Sequence, residues 1–291
     1  MNILITGSKG QLGSEFRTLA GNYPEHNFDF TDIEELDLTD FEAVREYFRN
    51  HHFDYCVNCA GYTAVDQAED EPDKAFLLNA DAVGNLAKVC KDNGVRLIHI
   101  STDYVFDGTA TKPYKEEDPV SPQSVYGASK LKGEQLIAAN TDDAFIIRTA
   151  WLCSVYGKNF VKTIIKLAGE RSELNVVNDQ WGSPTFTEDL AQAILKIIIS
   201  KPEDKGVRIY HYSSEGKLNW YIFAVEIVKM SGLTCRINPV STGAYPTKAK
   251  RPAYSVLDKS KIKRDFGVEV PDWKTSLQKL INQLKDKRSD D

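Results

Sequence analysis

The chain lacks a long apolar run, an excess of basic charge and an even set of cysteines. Its most apolar stretch, near Ile194–Ile199, falls far short of the roughly 20 residues that cross a bilayer. The opening MNILITG has no basic lead or cleavage site and enters a strand-like run at once, so no secretory signal is expected. A net charge of −6 leaves no electrostatic footprint for nucleic acid or an anionic membrane. Five cysteines, at 56, 59, 90, 153 and 235, fit a reducing cytoplasm better than a disulfide framework. Cys56 and Cys59 form a C-x-x-C inside the strand-like DYCVNCA. No second Cys or His pair stands at zinc spacing, so the two read as structural. Internal repeats and low-complexity linkers are absent.

What is present is alternation. The first half predicts strands at 2–6, 28–30, 55–59, 96–101 and 145–149. Helices are expected between them at 11–20, 40–50, 72–93 and 125–139. ILIT, LIHI and FIIR are apolar throughout, as strands buried on both faces must be. The fold class is therefore α/β, a Rossmann-type doubly wound parallel sheet. After Trp151 the pattern loosens. Helices are expected at 160–168, 187–200, 220–230 and 272–285, strands at 208–212 and 236–240, a loop at 243–252 and a fraying charged tail. This divides the 291 residues into a dinucleotide-binding domain at 1–150 and a smaller substrate-binding lobe at 151–291. Segments at roughly 174–213 are expected to rejoin the first sheet in part.

Gly7, Gly10 and Gly13 follow the first strand and open the first helix as G-x-x-G-x-x-G. Glycine there permits a tight turn and close backbone approach to a pyrophosphate, which would sit on the helix N-terminus. An acid should follow about 20 residues on to hold the adenine ribose, and Asp32 is placed for it. Asp32, Glu34 and Glu35 favour NADH over NADPH, while Lys9 keeps NADPH open. Asp37 and Leu38 lie where they could flank the adenine.

Ser101-Thr102-Asp103-Tyr104 ends the fourth strand, and ligands in open α/β sheets bind beyond such carboxyl ends. Tyr126 and Lys130, four apart, share one helix face. Reducing a ketone needs a proton delivered to oxygen. A phenol is a sluggish acid–base group at neutral pH, and a neighbouring ammonium would lower its pKa. A threonine hydroxyl would hydrogen-bond the reacting oxygen.

These features together resemble the extended short-chain dehydrogenase/reductase superfamily. Within it, GQLG at 10–13, AVDQAE at 64–69, STDYVFDG at 101–108, VYGASKLKGE at 125–134, RTAWL at 148–152, NDQWGSPT at 178–185 and RPAYSVLD at 251–258 are similar to the dTDP-4-dehydrorhamnose reductase family. The resemblance implies reduction of the 4-keto group of a dTDP-deoxysugar with NADPH or NADH. It implies Tyr126 as proton donor, Lys130 as its partner, and Thr102 and Asp103 against the sugar. Trp151, Asn159, Gln180 and Pro184 would shape the substrate pocket, and Arg251 would hold the diphosphate. Gly10, Gln11 and Leu12 would line the pyrophosphate turn, with Ala60, Gly61 and Tyr62 against the cofactor. It further implies a homodimer with magnesium held by Glu15 and Glu188. Related dehydratases carry a glutamate where this chain has Tyr104. The superfamily's epimerases, and a regulatory subunit of methionine adenosyltransferase, are the other readings the resemblance allows.

Overall fold

The computed structural model describes residues 1–289, and of 288 and 289 the backbone only. The first half winds β1 (Asn2–Thr6), α1 (Gln11–Leu19), β2 (Asn27–Thr31), α2 (Phe41–Asn50) and β3 (Tyr55–Asn58). A short α3 (Val65–Ala68) follows. Then α4 (Pro72–Phe76) runs through a π turn at Leu77–Asp81 into α5 (Ala82–Asp92), and β4 (Arg96–Thr102), α6 (Val125–Asn140) and β5 (Asp143–Thr149) complete the half. The second half contributes β6 (Leu152–Cys153), α7 (Phe160–Glu170), β7 (Glu173–Val177), β8 (Trp181–Gly182), β9 (Thr185–Phe186), α8 (Thr187–Ile199) and β10 (Gly206–His211). It ends with β11 (Leu218–Asn219), α9 (Trp220–Met230), β12 (Arg236–Val240), α10 (Ser260–Phe266) and α11 (Trp273–Ser289).

Six strands form one parallel sheet in the order β10-β5-β4-β3-β1-β2. Successive residues on each strand serve opposite layers. Ile3, Ile5, Ile98, Phe145 and Ile147 pack with α1, α8 and α10 through Phe16, Ile194, Ile198 and Ile262. Leu4, Leu97, Ala144 and Ile146 pack with α2, α5 and α6 through Phe48, Leu86 and Ile137. A strand covered on both faces needs apolar residues at every position, hence the unbroken runs in the sequence.

The smaller lobe holds its own core, centred on Val161, Phe223, Ile227, Leu277 and Ile281. Its strands are short pairs: β12 with β7, β11 with β8, and β6 with β9. α8 and β10 come from this half of the chain yet build the large sheet's layers, β10 pairing with β5.

Three expectations change, and one helix was not expected. The 72–93 helix is interrupted by the π turn, which turns the buried Asn79 side chain towards the residues after β3. Asp40 stands outside α2 and caps it, accepting from the Ala43 N–H at 3.0 Å. The helix at 260–266 was not legible, being too short for a clear period. The tail expected to fray continues α11 to Ser289, and residues 290 and 291 lie outside the described residues.

Candidate active site

The glycine turn is built for close approach. Gly7 has φ +64°, and a Cβ there would meet the Ala60 nitrogen at 2.6 Å. A Cβ on Gly13 would meet the Gly7 carbonyl at 2.3 Å. No side chain caps α1, so its first-turn amides stay available for an anion. A cleft of about 490 Å³ opens there, between the ends of β1, β2 and β3. Gly7, Gly10, Asp32, Asp37, Leu38, Ala60 and Gly61 line it, as does Cys59. This is the reversal point of the strand order, where open sheets bind ligands. Shape and donors therefore fit a dinucleotide. Leu12 sits beneath the turn in the core and does not line the cleft.

Asp32 accepts from the Lys9 N–H at 2.8 Å, and the Lys9 ammonium pairs with Glu34 and Glu35. The Tyr62 amide donates to Asn79 Oδ1 at 2.8 Å. Asn79 Nδ2 also donates to Ser129 Oγ, which donates to the Tyr126 carbonyl. One buried asparagine thus ties the residues after β3 to the helix carrying Tyr126.

α6 begins at Ser124, whose hydroxyl accepts from the Gly127 N–H at 3.1 Å. Tyr126 follows in the first turn. Burial pushes its phenol above the ordinary value of 10, and the Thr102 hydroxyl partly opposes this. Thr102 Oγ1 donates to Asp103 Oδ1 at 3.1 Å. Burial pushes the Asp103 carboxyl up to about 6, with the Ser255 and Thr102 hydroxyls partly opposing it. Below Thr102, Ser101 donates to Glu134 at 2.5 Å, and Glu134 holds Arg148 through two hydrogen bonds.

Lys130 is buried beside Gly61. Its Nζ donates to the Ile100 carbonyl at 2.6 Å and contacts His99 Nε2 at 3.1 Å. Burial lowers its pKa to about 8. The sequence suggested that a Lys130 ammonium would depress the Tyr126 phenol. Lys130 is engaged by β4 and is not among the groups that act on the Tyr126 phenol, which burial raises.

Beyond Tyr126 lies a cavity of about 470 Å³, lined by Trp151, Phe160, Gln180, Trp220, Tyr245 and Arg251 among others. Tyr104 joins it to the reacting end, its ring edge-on to Tyr126 at 5.5 Å. Trp151 has a left-handed φ of 49° and stacks on Trp220 at 3.6 Å. An aromatic wall suits the apolar face of a deoxysugar or a base. Arg251 reaches Asp66 at 2.5 Å and the Tyr104 hydroxyl at 3.0 Å.

Asn159 and Pro184 do not line this cavity. Asn159 caps α7 and donates to Gln11 Oε1, and Pro184 is buried with its carbonyl bonded to Ser214. Trp220, Phe160, Asp66 and Asn79 were missed. The only signals for them were a rare tryptophan opening an amphipathic helix and the AVDQAE motif.

Glu15 and Glu188 face one small cavity. Glu15 accepts from Thr187, while Glu188 accepts from Lys279 at 2.6 Å and Gln283 at 2.9 Å. Lysine thus already neutralises Glu188. Among the described residues no group of three acids, histidines or cysteines is placed to hold a metal. Both carboxylates are already engaged within the chain. No helix among them is long and apolar enough to cross a membrane.

A glycine-turn cleft with a tyrosine and lysine on the helix after β4 defines the short-chain dehydrogenase/reductase class of α/β protein. The family model described as the RmlD substrate binding domain matches residues 1–286. A spore coat polysaccharide biosynthesis protein of Bacillus subtilis is 41% identical, covering 97% of both chains. A dTDP-4-dehydrorhamnose reductase structure from Clostridium acetobutylicum is 42% identical with a TM-score of 0.93, covering 98% of this chain and 100% of that one. The reductase from Bacillus anthracis, solved in complex with NADP, is 36% identical with a TM-score of 0.93, covering 97% and 99%. The chain belongs to the dTDP-4-dehydrorhamnose reductase family.

Proposed function

We propose that this chain reduces the 4-keto group of dTDP-4-dehydro-β-L-rhamnose to dTDP-β-L-rhamnose, the last step of dTDP-rhamnose synthesis, using NADPH or NADH. The observation that carries this is the position of Tyr126, half-buried beside Thr102 between a dinucleotide-shaped cleft and an aromatic cavity. Full-length likeness to the reductases supports the substrate. When bound, the dihydronicotinamide supplies the hydride to C4.

The chain's residues do the rest. Tyr126 holds its proton at neutral pH, because burial disfavours phenolate, and gives it to O4. Thr102 Oγ1 hydrogen-bonds that oxygen as charge builds, and Asp103 orients Thr102. Gly7, Gly10, Gln11, Leu12 and Gly13 hold the pyrophosphate through backbone. Asp32 takes the adenine ribose, Asp37 and Leu38 flank the adenine, and Ala60, Gly61, Tyr62 and Lys130 border the nicotinamide half. Trp151, Gln180 and Arg251 hold the nucleotide sugar. Residues 1–150 serve as the cofactor domain and 151–291 mainly as the substrate lobe. Elimination would need a second acid beside Tyr126, and Tyr104 cannot serve. Its hydroxyl is tied to Arg251, and burial pushes its pKa up to about 12.

Paired steady-state kinetics with both cofactors test this reading. Saturable turnover of the dTDP-sugar with either one is expected, and none with both would remove the proposal. The proposed assembly is a homodimer, and a monomer-sized particle in sedimentation velocity would remove that part alone.

A further inference from the structure

Further along α6 from Tyr126 lies a buried carboxylate that no step of the reduction uses. Glu134 pairs with Arg148 of β5, and the two side chains are only 4% and 3% exposed. Arg148 Nε donates to Oε1 at 2.9 Å, and a terminal guanidinium nitrogen donates to Oε2 at 2.6 Å. Oε1 also accepts from Ser101 Oγ at 2.5 Å. Ser101 stands opposite Arg148 in the β4–β5 ladder, and the next rung joins Thr102 to Thr149. One carboxylate therefore ties α6 to the ends of two strands, beside the threonine of the site.

Stability does not explain this pair. Ala144 and Ile146 precede Arg148 on the same face of β5, Ile137 follows Glu134 on α6, and all three belong to an apolar layer. Apolar side chains at 134 and 148 would continue that layer, and such exchanges of a buried ion pair are often neutral or stabilising. What they cannot supply is direction. The ladder fixes Arg148, and its two parallel N–H bonds fix the plane of the carboxylate. Steric contact cannot supply direction either. A Cβ on Gly127 would meet the Tyr104 carbonyl at 2.3 Å, and one on Gly133 would meet the Asn79 carbonyl at 2.2 Å. The helix is thus seated about as close as backbone allows, but such contacts resist approach and not withdrawal or roll. Ser129 and Lys130 add bonds to Asn79 and to the Ile100 carbonyl, and neither reaches β5.

We propose that Glu134 is a positioning residue: its pair with Arg148 and its bond to Ser101 hold α6 at the depth and roll that bring the Tyr126 phenol to Thr102. The inference rests on reading Tyr126 and Thr102 as the groups that act on the reacting oxygen.

The experiment compares two variants with the wild type. Glu134→Met combined with Arg148→Met removes both charges together and strands neither. Ser101→Ala removes only the bond to the strand end. The double variant is expected to keep its urea midpoint while kcat falls about 10- to 100-fold. Ser101→Ala is expected to lower kcat about three- to tenfold. In both, KM for the dTDP-sugar and NADPH affinity, read from cofactor fluorescence, should move by no more than about twofold. A 4-deuterated cofactor should show an isotope effect on kcat at least as large as in the wild type, because the chemical step is the one slowed. A wild-type kcat in folded Ser101→Ala, an equal loss in cofactor affinity, or a shrinking isotope effect would each overturn the proposal. If the double variant does not fold, Ser101→Ala decides. Methyl-labelled threonine supplies a reading without turnover. A nuclear Overhauser effect from the Thr102 methyl to the Tyr126 ring is expected in the wild type and weakened in both variants, and an unchanged effect would overturn the proposal. Absence of turnover in the wild type would remove the reductase reading and leave this signal intact, so the two failures are distinguishable.

Discussion

The two halves of this molecule make a site in different ways. The first half is one parallel sheet buried on both faces, and its functional groups sit at strand ends or one helical turn beyond them. Gly7, Thr102 and Tyr126 are placed by regular structure, and buried hydrogen bonds to Asn79, Glu134 and His99 hold the elements that carry them. The second half is assembled from short paired strands of two to five residues, caps and stacked rings around its own core. Its contribution is a wall, with Trp151 on Trp220 and Arg251 leaning on Asp66. Where chemistry must be exact to a fraction of an ångström, the chain uses the sheet. Where a ligand must be held, it uses side-chain surfaces on short elements.

The sharpest way to break this comparison is Tyr126→Phe. Loss of the proton donor is expected to cost about 10²–10⁴-fold in kcat with cofactor affinity kept. Stopped-flow turnover and cofactor titration check it, and near-normal kcat would remove Tyr126 as the acid.

Next in size is Asp103→Asn, read as stability. The Asp103 carboxyl titrates near 6 in the folded chain against 3.8 ordinarily. A raised folded pKa favours folding most below pH 3.8, and that contribution is lost as pH rises through 6. At pH 8 the buried carboxylate is therefore a cost, and the amide is expected to stabilise by on the order of 3 kcal/mol. The gain should shrink to nothing near pH 4. Urea unfolding across that range checks the slope, and a gain that grows on acidification would contradict it.

Trp220→Ala belongs to the other half. It should raise KM for the sugar nucleotide about tenfold while kcat changes little, because it removes wall and not chemistry. A matching loss in kcat would blur the division between the halves. Smallest is Thr102→Val, which removes one hydrogen bond to the reacting oxygen and should cost about three- to tenfold in kcat. A loss exceeding that of Tyr126→Phe would exchange their roles.

The same contrast explains what could be read from the sequence. The glycine turn and the Tyr126–Lys130 pair are short-range patterns tied to strand ends, and the α/β class followed from the strand–helix alternation around them. The wall was half legible. Trp151 and Arg251 sit in recognisable motifs, but Trp220 reaches the site only by stacking across the small lobe. Asn159 looked like a pocket residue and is a helix cap, since caps and ligand-facing asparagines share one sequence signature. Asn79 depends on a π turn that no periodicity announces. The contact of Lys130 with His99 joins α6 to β4, elements whose spacing in sequence says nothing about it.

Turnover of one substrate decides the assignment. Purified chain mixed with dTDP-4-dehydro-β-L-rhamnose and NADPH or NADH should lose nicotinamide absorbance in step with formation of dTDP-β-L-rhamnose. Unchanged absorbance with both cofactors, while Tyr126 is intact and the protein is folded, would contradict it.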